Sequence, residues 1–317
     1  MKRSILLTAF FLLGFVIRNY AQDDLLKELE SEDSANVKQD ITAATFKSTR
    51  IINHHSVEMT GHGNLQFMIT HHFGKAWNKD ASTGQNLANF LGINSGLANT
   101  YMSFDYTPIR WMNLGVALAG RGHFEGWSKF KLLRQQTGLK NIPVSMAWVS
   151  NFDWDANTSS SASYQSTAWN RFSFLHQLLV ARKFSEKFSL QLSPSLVHYN
   201  VVGYGPESSN NIYSLGLGGR YKISDKKAIT FEYSRQLNMY ENVLTPGGTF
   251  IDYVPNVVSV GYDIDTGGHI FQFFVTNSVF ASNIQQLTVN PQADKGIFFG
   301  FNLNRSYAMK KVVNTGM

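Results

Sequence analysis

The sequence predicts an all-β fold, a transmembrane antiparallel β-barrel of about twelve strands that follows a short N-terminal periplasmic segment. Three observations lead to this prediction. Between residues 64 and 305 apolar and polar side chains alternate over stretches of about ten residues, the length of a spanning strand. Short and long gaps alternate between the stretches, as tight turns and long loops do at the two rims of a barrel. The first residues resemble an export signal.

The N-terminal residues predict a signal peptide over residues 1–21. Lys2 and Arg3 precede the apolar run Ile5–Ile17, which is shorter than the roughly 20 residues that a spanning helix needs. Residues 22–63 are predicted to be a periplasmic leader or a plug. The acidic part, Asp23–Asp33, has the composition of a mobile leader, whereas Phe46–His62 is less polar and either fills the barrel or lines its periplasmic mouth.

The barrel itself is predicted over residues 64–306, with a C-terminal tail over residues 307–317. Large apolar side chains share one face of each stretch, and Gly, Ala and Ser crowd the other face. A soluble barrel or sandwich is the competing fold, but its outer face would carry Lys, Glu and Thr, whereas small residues suit a confined lumen and large ones suit lipid. Aromatic residues gather near the strand ends, as expected for belts at the two membrane interfaces. The sequence therefore predicts that the protein is located in the outer membrane and that outer-membrane lipid surrounds it as a partner.

Composition excludes several classes of function. The formal charge of +6 includes Lys2, Arg3 and Arg18 of the predicted signal peptide, and no basic cluster is interleaved with aromatic residues. Nucleic acid is therefore not an expected partner. The chain has no cysteine, which rules out disulfides and thiolate metal sites. We expect no cofactor.

The charged residues predicted to face the lumen are the first candidates for a functional site. Arg220 and Glu232 have inward parity on neighbouring strands, and a three-residue turn would set them directly opposite, whereas a register shift of two would leave them diagonal. Such a pair either only rigidifies the wall or belongs to a set of charges that selects solutes. The other members of that set are listed here: Asp105, Arg121, Lys129, Lys131 and Asp263.

Histidines supply the only candidate metal ligands. His54, His55 and His62 precede the first strand, and three nearby imidazoles can bind zinc, copper or iron. No HExxH or comparable spacing is present, so hydrogen-bonding or interfacial histidines are favoured and no metal site is predicted. A hydrolase embedded in the barrel is a weaker alternative still, because no serine lies in a GxSxG context. The sequence favours a protein that is not an enzyme.

Several segments resemble a family of uncharacterised β-barrel proteins of Gram-negative bacteria that is known as a domain of unknown function. The resemblance spans residues 46–305, and its segments are Phe46–Asn53 with His55–Glu58, Lys131–Gln135, Lys140–Ser145, Ala181–Ser185, Asp265–Gln272 and Gly300–Leu303. It implies an outer-membrane barrel and no established activity. Gly267-Gly268 in one segment suits a tight hairpin, because glycine tolerates positive φ.

Two functions fit these observations. The first is a narrow channel or transport component for a small solute. The second is a non-conducting barrel that acts as a scaffold or accessory subunit for a periplasmic or surface protein partner, helped by basic residues at the rim of short turns. The position of Phe46–His62 distinguishes them, since a segment inside the barrel opposes passive conduction.

Overall fold

The computed structural model describes residues 39–75, 77, 81–90, 99–120, 122–156, 167–201, 209–244, 250–254, 256–288 and 296–309. The predicted signal peptide and most of the predicted tail lie outside these residues. The chain divides into a small unit, residues 1–40 with 136–141, and a large unit that contains the remaining residues. In the small unit, Gln39 donates a hydrogen bond to Gln136.

Within the described residues, strands dominate and the two α-helices are short. The strands are β1 Asp40–Ile41, β2 Asn64–Lys75, β3 Asn99–Ile109, β4 Met112–Leu118, β5 His123–Leu133, β6 Gln136–Thr137, β7 Ser145–Asp155, β8 Phe172–Lys183, β9 Phe188–Tyr199, β10 Asn211–Ser224, β11 Lys227–Gln236, β12 Tyr240–Leu244, β13 Phe250–Tyr253, β14 Asn256–Asp265, β15 His269–Thr276 and β16 Phe298–Ala308. The helices are α1 Thr83–Phe90 and α2 Asn283–Thr288. Neither helix has the length and apolarity needed to cross a bilayer, nor does any other in the described part of the chain.

Twelve of the strands form one closed antiparallel barrel, in the order β10-β11-β14-β15-β16-β2-β3-β4-β5-β7-β8-β9. The last strand, β16, pairs with the first barrel strand, β2, with Leu303 opposite Ile69, so the sheet has no free edge. This closure satisfies the backbone hydrogen bonds of every strand, as a membrane-spanning sheet requires. The predicted fold class and strand number are confirmed. The final strand ends at Ala308, slightly beyond the predicted barrel end at residue 306.

The two faces of the wall differ as the alternating pattern predicts. On β4, Val116 is 58% exposed on the outer face and its neighbour Ala117 is 6% exposed on the inner face. Aromatic rings cover part of the outer face, as where Phe73 stacks on Phe299 at 5.6 Å between ring centroids. A continuous apolar exterior of this kind is stable in lipid and would aggregate in water. The exterior therefore belongs in the hydrocarbon of a membrane.

Two insertions fill the interior of the barrel. The first is residues 42–63, hereafter the lumen segment, which precedes β2 and contains buried Phe46, Ile52 and Val57. The second is α2, in the connection between β15 and β16, all of whose residues are buried. Ile284 and Leu287 of α2 pack in an apolar cluster with Leu175 of the wall. Both insertions thus place buried chain inside the space that the barrel encloses.

Candidate functional site

The lumen segment folds into a small hairpin. Its stem is closed by the backbone hydrogen bond from Ser56 N–H to the Thr49 carbonyl at 3.0 Å and by a β-bridge between Arg50 and His55. Ile51 N–H donates to the His54 carbonyl at 2.9 Å and completes the turn. These hydrogen bonds join the two arms of the hairpin to each other, and among the residues described neither arm is paired with a strand of the barrel. The wall therefore holds the hairpin through the side chains of its strands.

Glu232 on β11 holds the tip of the hairpin. Its Oε1 accepts the backbone N–H groups of Ile52 at 2.7 Å, Asn53 at 3.1 Å and His54 at 2.9 Å. Successive N–H groups that converge on one carboxylate form an anion-binding concavity. Because Glu232 is only 2% exposed, these charge-assisted bonds replace its water shell. The carboxylate therefore fixes the tip at mid-strand depth in the barrel.

Lys129 on β5 holds the stem through the complementary backbone group. Its Nζ donates to the carbonyls of Thr49 at 3.0 Å, Ser56 at 2.8 Å and Glu58 at 2.8 Å. An ammonium has three donors, and these contacts use all of them. The side chain has no solvent exposure, so its charge depends on these carbonyls. One wall cation and one wall anion thus secure the two ends of the hairpin.

Three amide side chains complete the hold on the hairpin backbone. Gln191 Oε1 accepts from Val57 N–H at 2.7 Å, and its Nε2 donates to the His55 carbonyl at 2.7 Å. Gln272 Nε2 donates to the Ile51 carbonyl at 2.7 Å. Asn302 Nδ2 donates to the Ile52 carbonyl at 2.8 Å. These amides satisfy hairpin backbone groups that would otherwise be buried without partners.

Arg50 connects the hairpin to two aromatic rings of the wall. Its Cζ lies 5.1 Å from the Tyr101 ring centroid and 5.0 Å from the Trp127 ring centroid. Trp127 Nε1 donates to Asp105 Oδ1 at 3.0 Å, and Thr49 Oγ1 donates to Asp105 Oδ2 at 3.2 Å. The cation, the rings and the carboxylate form one buried network in which cation–π and hydrogen-bond contacts support each other.

Glycines in the wall make room for the hairpin tip. A Cβ added at Gly218 would lie 2.3 Å from Ile51 Cδ1, and one added at Gly261 would lie 3.2 Å from Ile52 Cδ1. Both distances are shorter than ordinary van der Waals contacts, so any larger side chain at Gly218 must displace Ile51. The small residues on the inner face of the barrel therefore match the shape of the segment that fills it.

The segment that carries helix α2 also contacts this network. Ser282, just before α2, donates a hydrogen bond from its Oγ to Glu125 on β5. Glu125 Oε2 also accepts from the Tyr101 hydroxyl at 3.1 Å. Nearby, His123 Nδ1 contacts Asp153 Oδ2 at 2.8 Å. The two insertions are therefore linked through shared wall residues.

Of the two registers that the sequence left open for Arg220 and Glu232, the structure shows the diagonal one. The register sets Arg220 opposite Thr230 and Glu232 opposite Gly218, so the two charges are diagonal. The turn is tighter than predicted, because Ser224 pairs directly with Lys227. No ion pair joins them among the described residues, and Glu232 instead accepts hydrogen bonds from the lumen segment.

The remaining predicted lumen charges lie in different settings. Asp105, Lys129 and Asp263 are buried on the inner face, and Lys131 is half-buried near the end of β5. Asp263 Oδ1 accepts from Gln272 Nε2 at 2.6 Å and from Thr230 Oγ1 at 3.2 Å. Arg121 lies outside the described residues. The described members of this remaining group are therefore dispersed over the wall, and two of them, Asp105 and Lys129, contact the lumen segment as Glu232 does.

The three candidate histidines are not brought together. His54 and His55 are buried in the hairpin, whereas His62 is exposed. Burial lowers the pKa of His55 well below its ordinary value, and the charges of Arg50 and Lys129 act in the same direction. A neutral His55 packs edge-on against Trp127 at 5.4 Å between ring centroids. No cluster of three His, Cys, Asp or Glu side chains suited to a metal ion occurs within the described ranges.

Sequence reasoning missed the residues that hold the hairpin by their amides. Gln191 had inward parity in the alternating pattern, but parity gives the face of a residue and not its partner in an insertion. No sequence pattern indicated that α2 would lie in the lumen, because Asn283–Thr288 has too few residues to show a helical period.

The sequence of most of the chain matches the model of a known protein family. The family described as "Membrane bound beta barrel domain (DUF5777)" matches residues 46–307, a range that begins inside the lumen segment and covers the twelve barrel strands except for the last residue of β16. No curated protein matches the chain.

Solved outer-membrane proteins have a similar fold. The NanC porin is 6% identical with a TM-score of 0.46, and the match covers 77% of this chain and 98% of the porin. An outer membrane channel from Pseudomonas putida F1 is 10% identical with a TM-score of 0.43, covering 79% and 98%. A Pseudomonas aeruginosa FadL homologue is 9% identical with a TM-score of 0.37, covering 78% and 90%. TM-scores and identities this low carry no argument about this chain. Because the family model covers most of the chain, the chain belongs to the family of the membrane bound beta barrel domain.

Proposed function

We propose that this protein is an outer-membrane transport component for a small solute whose lumen is closed at rest by residues 42–63. The observation that carries the proposal is the hairpin inside the barrel, held by Glu232 and Lys129. Passive conduction requires a continuous aqueous path, and the hairpin occupies that path at mid-strand depth. Transport therefore requires that the lumen segment move.

Two features support movement. The hairpin belongs to no ladder of the barrel wall, so it can leave without breaking a strand pairing. Its polar contacts with the wall are mainly hydrogen bonds to backbone groups, which water can replace at small net cost. Against these, Phe46, Ile51 and Val57 of the segment pack in an apolar cluster with wall residues, and that burial adds to the cost of opening. A barrel of eight strands is filled by its own side chains, whereas this barrel of twelve needs a separate insertion to be filled. A separable filling is the geometry that permits opening.

A second candidate function is a non-conducting barrel that acts as a scaffold or accessory subunit for a protein partner. The specific observation in its favour is that α2 also fills the lumen, with Ile284 and Leu287 in an apolar cluster. Apolar burial holds α2 in place, so part of the lumen stays filled even when the hairpin moves. A permanent filling would leave the exterior and rims as the functional surfaces.

An enzyme is the least supported alternative. On the outer face, Ser150 Oγ lies 3.1 Å from His176 Nδ1, and Trp148 Nε1 donates to the same oxygen at 2.9 Å. A hydrolase also needs a group that orients the base and donors that stabilise an oxyanion. In the described part of the chain, His176 has no hydrogen-bond partner other than Ser150, and the strand backbone around it is paired in the ladder. We therefore propose that the protein is not an enzyme.

The test is conductance in planar bilayers with a reversible lock. Ser48 Oγ in the hairpin lies 3.3 Å from Asn304 Oδ1 in the wall, so the double variant Ser48→Cys/Asn304→Cys places two thiols in reach of a disulfide or a short cross-linker. The chain has no native cysteine to interfere. The transport proposal predicts rare openings of the wild type, none of the locked variant, and recovery on reduction. The single variants Ser48→Cys and Asn304→Cys are the controls.

A deletion variant distinguishes the two candidate functions. A deletion of residues 42–62 should give frequent openings if the hairpin is a movable closure. If the wild type and the deletion are both silent while the barrel remains folded by heat-modifiable migration, the transport proposal fails and the scaffold becomes the first choice.

A further inference from the structure

Arg220 is a buried cation without a bonded partner. It lies on the inner face of β10 and is 7% exposed. Among the residues that the structure describes, no hydrogen-bond acceptor or carboxylate lies within bonding distance of its guanidinium, and its Nε is fully buried and unpaired. A guanidinium keeps its charge at any physiological pH and carries five donors. A group of this kind in a confined interior needs an acceptor.

The guanidinium faces a small cavity between the wall and the lumen segment. The cavity has about 10 Å³ of free space, room for one water-sized group. Wall residues Thr230, Asn302 and Asn304 line it together with Lys47 and Ser48 of the lumen segment. A group bound there would contact both the wall and the segment that closes the lumen.

The charges that line the cavity favour an anion. Lys47, Arg50 and Arg220 line it, against a single carboxylate, Asp263. Asp263 Oδ1 is already occupied by the donors of Gln272 and Thr230. Lys47 is paired with Asp265 at 2.8 Å, and Arg50 donates to the Asn53 carbonyl at 2.8 Å. Arg220 is thus the cation that remains for a ligand.

We propose that this cavity binds one small inorganic anion of about chloride size, coordinated by Arg220 and by polar groups of the lumen segment. The small free space excludes anything larger than a monatomic anion, and the lining charges set the sign. Because the anion would bridge wall and lumen segment, its binding stabilises the closed barrel. Larger anions such as gluconate do not fit while the lumen segment is in place.

The test measures thermal unfolding of the full chain in detergent, in sodium chloride and in sodium gluconate at equal ionic strength. The proposal predicts a midpoint that rises with chloride and saturates, while gluconate has no comparable effect. In Arg220→Gln the chloride concentration for the half-maximal rise should increase about tenfold or more, because the main charged donor is lost. The matched control Arg305→Gln removes an exposed arginine outside the cavity and should respond as the wild type does.

Two results would overturn the proposal. Equal responses to chloride and gluconate would show charge screening alone, and an unchanged chloride response in Arg220→Gln would place any binding elsewhere. If Arg220→Gln does not fold, a crystal of the wild type grown in bromide decides, since the proposal requires an anomalous peak beside Arg220. None of these measurements depends on conductance, so failure here leaves the transport proposal standing, and silence in the bilayer leaves the anion site standing.

Discussion

Glu232 Oε1 accepts the backbone N–H of Ile52 at 2.7 Å, across 180 positions of sequence. The contact joins the middle of a barrel strand to the tip of the hairpin in the lumen. Because the same oxygen also accepts N–H groups from Asn53 and His54, a single carboxylate supports the whole turn. The position of the hairpin tip in the lumen therefore depends strongly on one wall side chain.

The first prediction concerns that carboxylate. Glu232→Ala leaves three buried N–H groups without their acceptor, and we expect the free energy of unfolding to fall by about 1–3 kcal/mol. The conductance of the variant should also rise, because the hairpin tip loses its anchor. Glu232→Gln keeps one acceptor oxygen and should lose less than Glu232→Ala. Denaturant titration in detergent measures the first effect and bilayer recording the second.

The control for this prediction is Glu186→Ala. Glu186 lies in an exposed turn, where Lys183 Nζ donates to its Oε2 at 2.9 Å. Exposed pairs of this kind contribute little to stability. A loss in Glu186→Ala equal to that in Glu232→Ala would contradict the argument, because it would show that the lumen contact has no special weight.

The second prediction concerns Lys129. Lys129→Met keeps the length of the side chain but removes the three donors to the carbonyls of Thr49, Ser56 and Glu58. The methionine also removes the cost of burying a charge, so the net destabilisation should be smaller than the sum of three lost hydrogen bonds. Conductance should nevertheless increase, since the hairpin stem is released. An increase in stability together with unchanged silence in the bilayer would count against Lys129 as an anchor.

The third prediction tests the fit between wall and hairpin. Gly218→Val adds a β-branched residue to a strand interior, which by itself favours a strand. In this barrel the added Cβ would lie 2.3 Å from Ile51 Cδ1, so we expect destabilisation and more frequent opening. The compensating change Ile51→Ala provides space, and the double variant should be more stable than Gly218→Val alone. A stabilising effect of Gly218→Val would mean that Ile51 does not sit against this strand.

The barrel could be predicted from the sequence alone, because the side chains of a strand alternate between its two faces with a period of two residues. Val116 and Ala117 differ in exposure as this alternation requires. Many such pairs of neighbours along the strands outweigh a single residue that breaks the pattern. The interior of the barrel has no such repetition. Gln191 and Glu232 were identifiable as inward residues, but their partners His55 and Ile52 come from a segment without a period. Long-range side-chain contacts to an insertion leave no local pattern.

The same limit explains why the sequence left two registers open for Arg220 and Glu232. Parity fixed the face of each residue, but the register depended on the length of the turn between β10 and β11. Ser224 pairs with Lys227 after a register shift at Lys222, which moves Glu232 opposite Gly218. A turn shorter than predicted by one residue, together with the bulge, is enough to separate the two charges.

The fourth prediction concerns orientation in the membrane. Short turns of outer-membrane barrels face the periplasm and long loops face the outside. A cysteine at Ser209, in the long connection before β10, should react with an impermeant reagent on intact cells. A cysteine at Asp225, in the short turn after β10, should react only after the outer membrane is opened. The reverse pattern would invert the topology.

The last prediction returns to Arg220 and Glu232 as a double-variant cycle. Arg220→Ala removes a cation that lacks a bonded partner, whereas Glu232→Ala removes the acceptor for the hairpin tip. The two residues are diagonal on neighbouring strands and share no hydrogen bond, so their effects on the free energy of unfolding should add within about 0.5 kcal/mol.

The reference for this cycle is a pair that the structure does join. Lys47 and Asp265 form an ion pair at 2.8 Å between the lumen segment and β14, and the same cycle on that pair should show coupling at low salt that weakens as salt is added. Coupling between Arg220 and Glu232 as large as that between Lys47 and Asp265 would require the two to be bonded. It would mean that the β10–β11 register in solution brings them opposite each other.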